Sequence, residues 1–164
     1  MRKAIRLALL GAVALGTVSA CLAWQVFEGR MTGGGSFFIG TMRVTHGFEL
    51  HCNASEGPNN LEVNWDGGNH FHLDTLTEAA CFDSGAPAAP PKDTDFTTLV
   101  GGGSGTLNGV PGAFINFQFE DHGEPGTNDV VAYIIISDVN GNVVLMGGPA
   151  LLNNGNHQAH TSPH

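Results

Sequence analysis

Hydrophobic and polar residues alternate with a period of two in several segments of the chain. The clearest segment is residues 113–120. One set of alternate positions is apolar: Ala113, Ile115, Phe117 and Phe119. The other set is mostly polar: Phe114, Asn116, Gln118 and Glu120. Successive side chains of a strand point to opposite faces of a sheet, so this alternation predicts a strand whose first set faces the core.

Similar patterns predict further strands on both sides of this one. The alternation recurs in residues 43–52, 61–65 and 70–74, residues 130–137 are apolar on both faces, and residues 143–146 follow the hairpin signal Asn140-Gly141. Residues 75–82 fit either a strand or a single helical turn, and the run Gly101-Gly102-Gly103 predicts a bulge or hairpin between two short strands. The whole pattern predicts an all-β chain, an antiparallel β-sandwich or jelly-roll-like fold of about eight to ten short strands.

Residues 1–23 have the pattern of a signal peptide. The basic residues Arg2, Lys3 and Arg6 precede an apolar stretch of 12 residues from Leu7 to Val18. A membrane-spanning helix needs about 20 apolar residues, so this stretch predicts export rather than a resident membrane helix. We expect a periplasmic, cell-surface or extracellular protein.

Two interpretations of the cleavage site remain open. A general signal peptidase would cut after Ala23, whereas the segment Val18-Ser19-Ala20-Cys21 is typical of a bacterial lipoprotein, in which Cys21 becomes the lipidated N-terminus. Either cut leaves residues 24–164 as a single β-sandwich domain. Within it we expect a mobile Pro/Ala loop at 84–95 and a polar, His-rich tail at 153–164.

The charge balance excludes some partners. Three of the 6 Lys and Arg residues lie in residues 1–23 and none of the 15 acidic residues does, so the remaining chain carries three basic and fifteen acidic residues, a net charge of −12. Nucleic acids and anionic lipids are bound by Lys/Arg clusters, so we expect no nucleic-acid partner and membrane contact only through a lipid on Cys21. The charge suits divalent cations or, alternatively, serves solubility alone.

Cys52 and Cys81 are the two thiols that remain after either cut. An even number of cysteines in an exported chain predicts a disulfide between them, with two buried free cysteines as the alternative. A zinc site is not favoured because neither cysteine has a CxxC partner.

The segment 121–129 follows the clearest strand and carries several oxygen ligands. Asp121, Glu124, Asn128 and Asp129 are separated by glycine and proline residues that favour a tight turn. Calcium is bound by carboxylate and amide oxygens of this kind, so the sequence predicts a calcium site here. The alternative is a solvated turn in which the acids serve turn geometry.

Histidines supply a second candidate site. His70, His72 and Asp74 occupy alternate positions of one predicted strand and therefore share a face, which suits a zinc-like metal in a small hydrolase. The alternative is an ordinary polar outer face, because Phe71 and Leu73 take the core side. A third group, His157, His160 and His164, predicts weak metal binding or a frayed or edge-docked C-terminus.

Several motifs are similar to those of a known family. They are Thr32-Gly33-Gly34-Gly35, Asn69-His70-Phe71-His72-Leu73 followed by Cys81, residues 103–112, residues 121–129 and residues 155–160. Together they resemble the post-COAP-1 family of small exported bacterial domains, often appended to larger surface proteins, over roughly residues 31–160. The family has no established activity, so the resemblance implies a location and a domain type.

These observations predict an exported, non-catalytic β-sandwich module that interacts with a protein or glycan at the cell envelope, with calcium as a stabilising ion. A metal-dependent hydrolase using His70, His72 and Asp74 is one alternative. A carbohydrate-binding module is another, although aromatic residues for sugar stacking are scarce: Tyr133, Trp24 and Trp65. No GxSxG motif for a nucleophilic serine is present.

Overall fold

The computed structural model describes residues 26–85 and 94–161. Its ten strands are β1 (Gly29–Ile39), β2 (Met42–His51), β3 (Asn60–Trp65), β4 (Asn69–Phe82), β5 (Thr98–Leu107), β6 (Val110–Glu120), β7 (Val130–Ser137), β8 (Val143–Gly147), β9 (Ala150–Leu151) and β10 (Asn154–Thr161). Within these ranges the helical structure is one 3-10 turn, Gly126–Asn128. The chain is therefore all-β, as the alternation predicts. Cys21, the predicted signal peptide, residues 86–93 of the predicted loop and His164 lie outside the described residues.

The strands form one antiparallel sheet in the order β10-β1-β2-β3-β4-β5-β6-β7-β8, and β9 pairs with β7. The hairpins around Asp66–Asn69 and Asn140-Gly141 connect neighbouring strands as predicted. The sheet folds over on itself in a β-sandwich-like arrangement, because residues of strands that are not neighbours pack face to face. His46 of β2 stacks on Phe119 of β6, with 5.3 Å between the ring centroids.

The core is built from the alternate positions that the sequence predicts. Residues of the buried face include Phe71 and Leu73 of β4 and all four apolar residues at alternate positions from Ala113 to Phe119. The disulfide between Cys52 and Cys81 is present and joins the end of β2 to β4, so the predicted pairing is confirmed.

The glycine run predicts a bulge or a hairpin. A bulge does face Gly102 and Gly103, with its extra residue in β4, but no hairpin forms because Gly101–Gly103 lie inside the continuous strand β5. Their role is to make room for large side chains. A Cβ on Gly101 would lie 2.7 Å from Cζ of Phe117, and one on Gly105 would lie 2.5 Å from Cζ of Phe71. The extra residues of the irregularities between β4 and β5 lie in β4, where the register shifts between Leu73 and Thr75 and between Leu76 and Glu78. Residues 75–82 are accordingly strand throughout.

The described part of the predicted polar tail, 153–161, is also mostly strand. Residues 154–161 form β10, which pairs with β1 from Gly29↔Thr161 to Ser36↔Asn154. His157 is buried on the core side, so the C-terminal segment is docked at a sheet edge and contributes to the core. Among the residues described, no helix is long and apolar enough to cross a membrane.

Candidate functional site

Two buried aspartates, Asp121 and Asp129, attach the turn after β6 to the outer edge of β10. We call them the edge carboxylates. Asp129 accepts the backbone N–H of His157 at 2.6 Å and that of His122 at 2.8 Å. Asp121 accepts the N–H of Ala159 and of Gly123, both at 2.8 Å. Each carboxylate therefore joins the turn to β10, and each of its two oxygens has a backbone partner.

Burial changes the acidity of one of these groups. Burial raises the pKa of Asp129 to about 6, while the N–H groups of His157 and His122 act in the opposite direction by stabilising the carboxylate. The neighbouring charge of Asp121 contributes to the increase. Desolvation is therefore the larger effect, even for a carboxylate with two backbone donors.

A pair of buried histidines lies behind the edge carboxylates. The Nε2 atoms of His46 and His157 are 2.8 Å apart, and Nδ1 of His157 is 3.0 Å from the carbonyl oxygen of Glu120. Since a carbonyl oxygen only accepts, Nδ1 of His157 carries its proton and its Nε2 accepts one from His46. Nδ1 of His46 is then an unprotonated nitrogen, and it is buried with no hydrogen-bond partner among the described residues.

This pair is kept neutral by its surroundings. Phe37, Phe48 and Phe119 surround the His46 ring at centroid distances of 5.3 to 5.9 Å. Burial lowers the pKa of His46 to about 3, with a further contribution from His157, and burial lowers the pKa of His157 to about 4. Both rings are therefore neutral at physiological pH and serve as core residues with one internal hydrogen bond.

The four predicted calcium ligands lie in two different environments. The oxygens of Asp121 and Asp129 face backbone N–H groups, whereas Glu124 and Asn128 are exposed. Oε1 of Glu124 accepts a hydrogen bond from Nδ2 of Asn156 at 3.1 Å. A calcium ion would compete with these donors, and the calcium site stays an untested expectation from the sequence.

The outward face of the β3–β4 hairpin carries the second candidate group. His70, His72 and Asp74 share this face as predicted, and Nε2 of His72 lies 4.0 Å from Asp74. Glu62 of β3 was not among the predicted residues; its carboxylate lies 2.9 Å from Nε2 of His70 and also contacts Nδ1 of His72. The hairpin register pairs Glu62 with His72. This pair could have been predicted from the sequence, because the position of the turn at Asp66–Asn69 fixes which residues of the two strands lie opposite each other.

These side chains are half-exposed, and protein groups already engage them. Nδ1 of His70 lies 2.8 Å from Oδ1 of Asn64, and Oγ1 of Thr106 donates to Oδ2 of Asp74 at 2.9 Å. Across residues 26–85 and 94–161 no group of three or more His, Cys, Asp or Glu side chains is arranged to hold a metal ion. The hydrolase alternative stays an untested prediction.

A third site lies on the outward face of the second half of the sheet. We call it the outer-face cleft; it has a volume of about 340 Å³ and is lined by Glu78, Ala80, Val100, Gly101, Asn116 and Tyr133 among others. The polar side-chain atoms of Glu78, Asn116 and Tyr133 form no hydrogen bond with the described part of the chain. Tyr133 belongs to the strand that the sequence shows to be apolar on both faces, but its side chain is half-buried and lines this cleft.

A larger cavity of about 640 Å³ lies beside the edge carboxylates, and several of its polar side chains are already paired. His122 contacts Oε2 of Glu120 at 3.0 Å, and His160 contacts Oγ1 of Thr32 at 2.9 Å. The outer-face cleft differs because its three polar side chains remain available for a ligand.

Comparisons with known proteins found no match: no protein-family model, no curated protein and no solved structure matches this chain. The resemblance to the post-COAP-1 family therefore stays an expectation from the motifs.

Proposed function

We propose that this chain is an exported, non-catalytic β-sandwich module that binds a protein or glycan partner at the cell envelope. The observation that carries the proposal is the outer-face cleft, in which Glu78, Asn116 and Tyr133 have no hydrogen-bond partner among the described residues. Polar groups that converge in a cleft without partners are typical of a binding site. The acids of the 121–129 turn, by contrast, are used to hold β10 in place.

Export is supported by two independent features. Residues 1–23 have the charge and hydropathy pattern of a signal peptide. The Cys52–Cys81 disulfide is compatible with an oxidising compartment, where such bonds persist. Membership of the post-COAP-1 family would agree with this location and is part of the proposal.

Export is tested by expressing the full chain in a bacterial host and fractionating the cells. We expect the protein outside the cytoplasm with both Cys52 and Cys81 oxidised, as measured by mass spectrometry after thiol trapping. Replacing Arg2, Lys3 and Arg6 by Glu should retain it in the cytoplasm with free thiols. Cytoplasmic retention of the unmodified chain would contradict this half of the proposal.

Binding is tested by co-sedimentation of the purified protein with envelopes of the organism that encodes it. The variant Asn116→Lys places a long side chain in the outer-face cleft and should abolish sedimentation. Thr45→Lys, which adds the same charge on the outward side of β2, is the matched control and should sediment like the unmodified protein. Equal sedimentation of both variants, or none by the unmodified protein, would contradict binding through this cleft.

A further inference from the structure

We propose that the outer-face cleft binds a neutral sugar ring, a monosaccharide or the end of a glycan chain. This inference rests on the proposed function, because it names the ligand of the same site. Three features support it: the convergence of two side-chain oxygens, the absence of protein partners for the polar groups, and an aromatic ring on one wall.

The convergence follows from the strand register. Glu78 of β4, Gly102 of β5 and Asn116 of β6 lie side by side in one cross-strand row. A Cβ on Gly102 would lie 2.8 Å from Oδ1 of Asn116 and 3.0 Å from Oε1 of Glu78, so both oxygens lie above this glycine. The missing side chain therefore lets an acid and an amide approach the same point from opposite sides.

The irregularity in β4 contributes to this arrangement. The register shift between Leu76 and Glu78 adds one residue, Thr77, opposite β5, and Oγ1 of Thr77 donates to the carbonyl of Gly102 at 3.0 Å. Bulges of this kind redirect side chains and are common next to binding sites. Here the shift brings Glu78, rather than Thr77, opposite Gly102.

The wall of the cleft comes from the next cross-strand row. This row contains Ala80, Val100, Gln118 and Tyr133 on successive strands. Burial raises the pKa of the Tyr133 phenol, and the charge of Glu78 adds to the increase, so the hydroxyl keeps its proton and remains a donor. Ala80, Val100 and the ring of Tyr133 supply an apolar surface with a donor at its edge, next to the acceptors of the first row.

This combination matches the chemistry of a sugar ring. Sugar hydroxyls donate to carboxylate and amide oxygens and accept from amide and phenol groups, and the C–H face of the ring packs on aromatic and aliphatic side chains. The cleft volume of about 340 Å³ lies at the lower end of the roughly 300–1,000 Å³ range of ligand pockets, which suits one ring. Glu78 and the acidic chain disfavour anionic sugars.

The test is an NMR titration of the mature protein with glucose, galactose, mannose and N-acetylglucosamine, and with glucuronate and calcium chloride as charged probes. We expect at least one neutral sugar to give saturable shifts with a Kd on the order of 1 mM. The shifts should be confined to amides of the outer-face cleft. Shifts with glucuronate alone, or with calcium alone at Glu78 and Asn116, would overturn the proposal.

Variants make the assignment specific. Glu78→Gln should weaken sugar binding about tenfold, the usual scale for a lost charged hydrogen bond in a binding site. Tyr133→Ala should abolish binding, and Glu49→Gln on the outward side of β2 is the matched control. Thermal melting of each variant shows that it is folded, and unchanged affinity in a folded Glu78→Gln and Tyr133→Ala would overturn the proposal.

The failure of this inference is distinguishable from the failure of the proposed function. If envelopes bind in a manner sensitive to Asn116→Lys but no neutral sugar binds, the cleft has a protein partner and the sugar assignment is wrong. If neither envelopes nor sugars bind, both proposals fail.

Discussion

The two ends of the sheet present their backbones in different ways. At one end, the N–H groups of His157 and Ala159 in β10 donate to the buried edge carboxylates. At the other end, β8 pairs with β7 alone within the described ranges, and Met146 is 62% exposed. Unpaired strand edges invite pairing with other chains. One edge of the sheet is therefore closed by carboxylates from a distant turn, while the other remains accessible.

The largest effect is expected from removing an edge carboxylate. Asp129→Ala leaves the N–H groups of His157 and His122 without their acceptor, and each buried unsatisfied group costs about 1–3 kcal/mol. Urea denaturation should therefore show a loss of roughly 2–5 kcal/mol of unfolding free energy. The control on the other edge, Met146→Ala, should change it by less than about 0.5 kcal/mol. If Asp129→Ala and Met146→Ala lower the free energy of unfolding by the same small amount, the stability of β10 does not depend on Asp129.

A smaller, pH-dependent effect is expected from the histidines behind β10. Their folded pKa values, about 3 for His46 and about 4 for His157, lie below the ordinary 6.5, so the unfolded chain binds protons that the folded chain does not. Their stabilising contribution is complete above pH 6.5 and is lost as the pH falls toward 4. Asp129 acts in the opposite direction over about the same pH range, because its pKa is raised to about 6 in the folded chain. Its stabilising contribution to the free energy of unfolding is largest below pH 3.8 and is lost as the pH rises through 6.

The net expectation is a loss of stability on acidification, since two histidines oppose one aspartate. Between about pH 6 and pH 4.5 the unfolding free energy should fall by about 1.4 kcal/mol per pH unit, the equivalent of one net proton. His46→Phe should remove most of this slope, whereas His70→Gln on the exposed hairpin face should retain it. Chemical denaturation at several pH values measures the slope, and an unchanged slope in His46→Phe would contradict this account.

Hydrogen exchange should show the difference between the edges directly. The amides of His157 and Ala159 are buried donors to carboxylates, so we expect them to exchange at least about tenfold more slowly than the outward-facing amides of β8. NMR-detected exchange resolves both sets in one sample. In Asp129→Ala the protection of the His157 amide should fall, while that of the β8 amides stays the same. Rapid exchange of the amides at both edges of the unmodified protein would contradict the expected difference.

The smallest effect is expected from calcium. Because all four oxygens of Asp121 and Asp129 already accept backbone N–H groups, millimolar calcium chloride should leave the melting temperature unchanged. Magnesium chloride at the same ionic strength is the control. A specific rise with calcium, lost in Glu124→Gln, would show that the turn rearranges to bind the ion as the sequence predicts.

Local patterns were sufficient to predict much of the fold. The alternation in β2, β4 and β6 identifies the buried faces, and turn residues locate the hairpins. Pairing between distant segments was not predictable in this way. Residues 154–161 have no apolar alternation, and they form a strand because β1 pairs with one side and Asp121 and Asp129 with the other.

The candidate sites also differ in whether local sequence patterns or pairing between distant segments brings their residues together. His70, His72 and Asp74 share a face as predicted because they belong to one strand, and Glu62 follows from the register of the adjacent hairpin. The outer-face cleft requires residues of β4, β5, β6 and β7, and its polar groups meet only because Gly102 has no side chain. No spacing within one segment contains that information.

The pairing of β1 with β10 has a consequence for the synthesis of the protein. Thr32 and His160 contact each other across a sequence separation of 128 residues, so one side of β1 has no strand partner until residues 154–161 have left the ribosome. Contacts of such long range form late and slowly. The newborn chain therefore stays incompletely folded until β10 has been made, and a product that ends before residue 154 would carry a first strand with one unpaired side, a target for proteases and for aggregation.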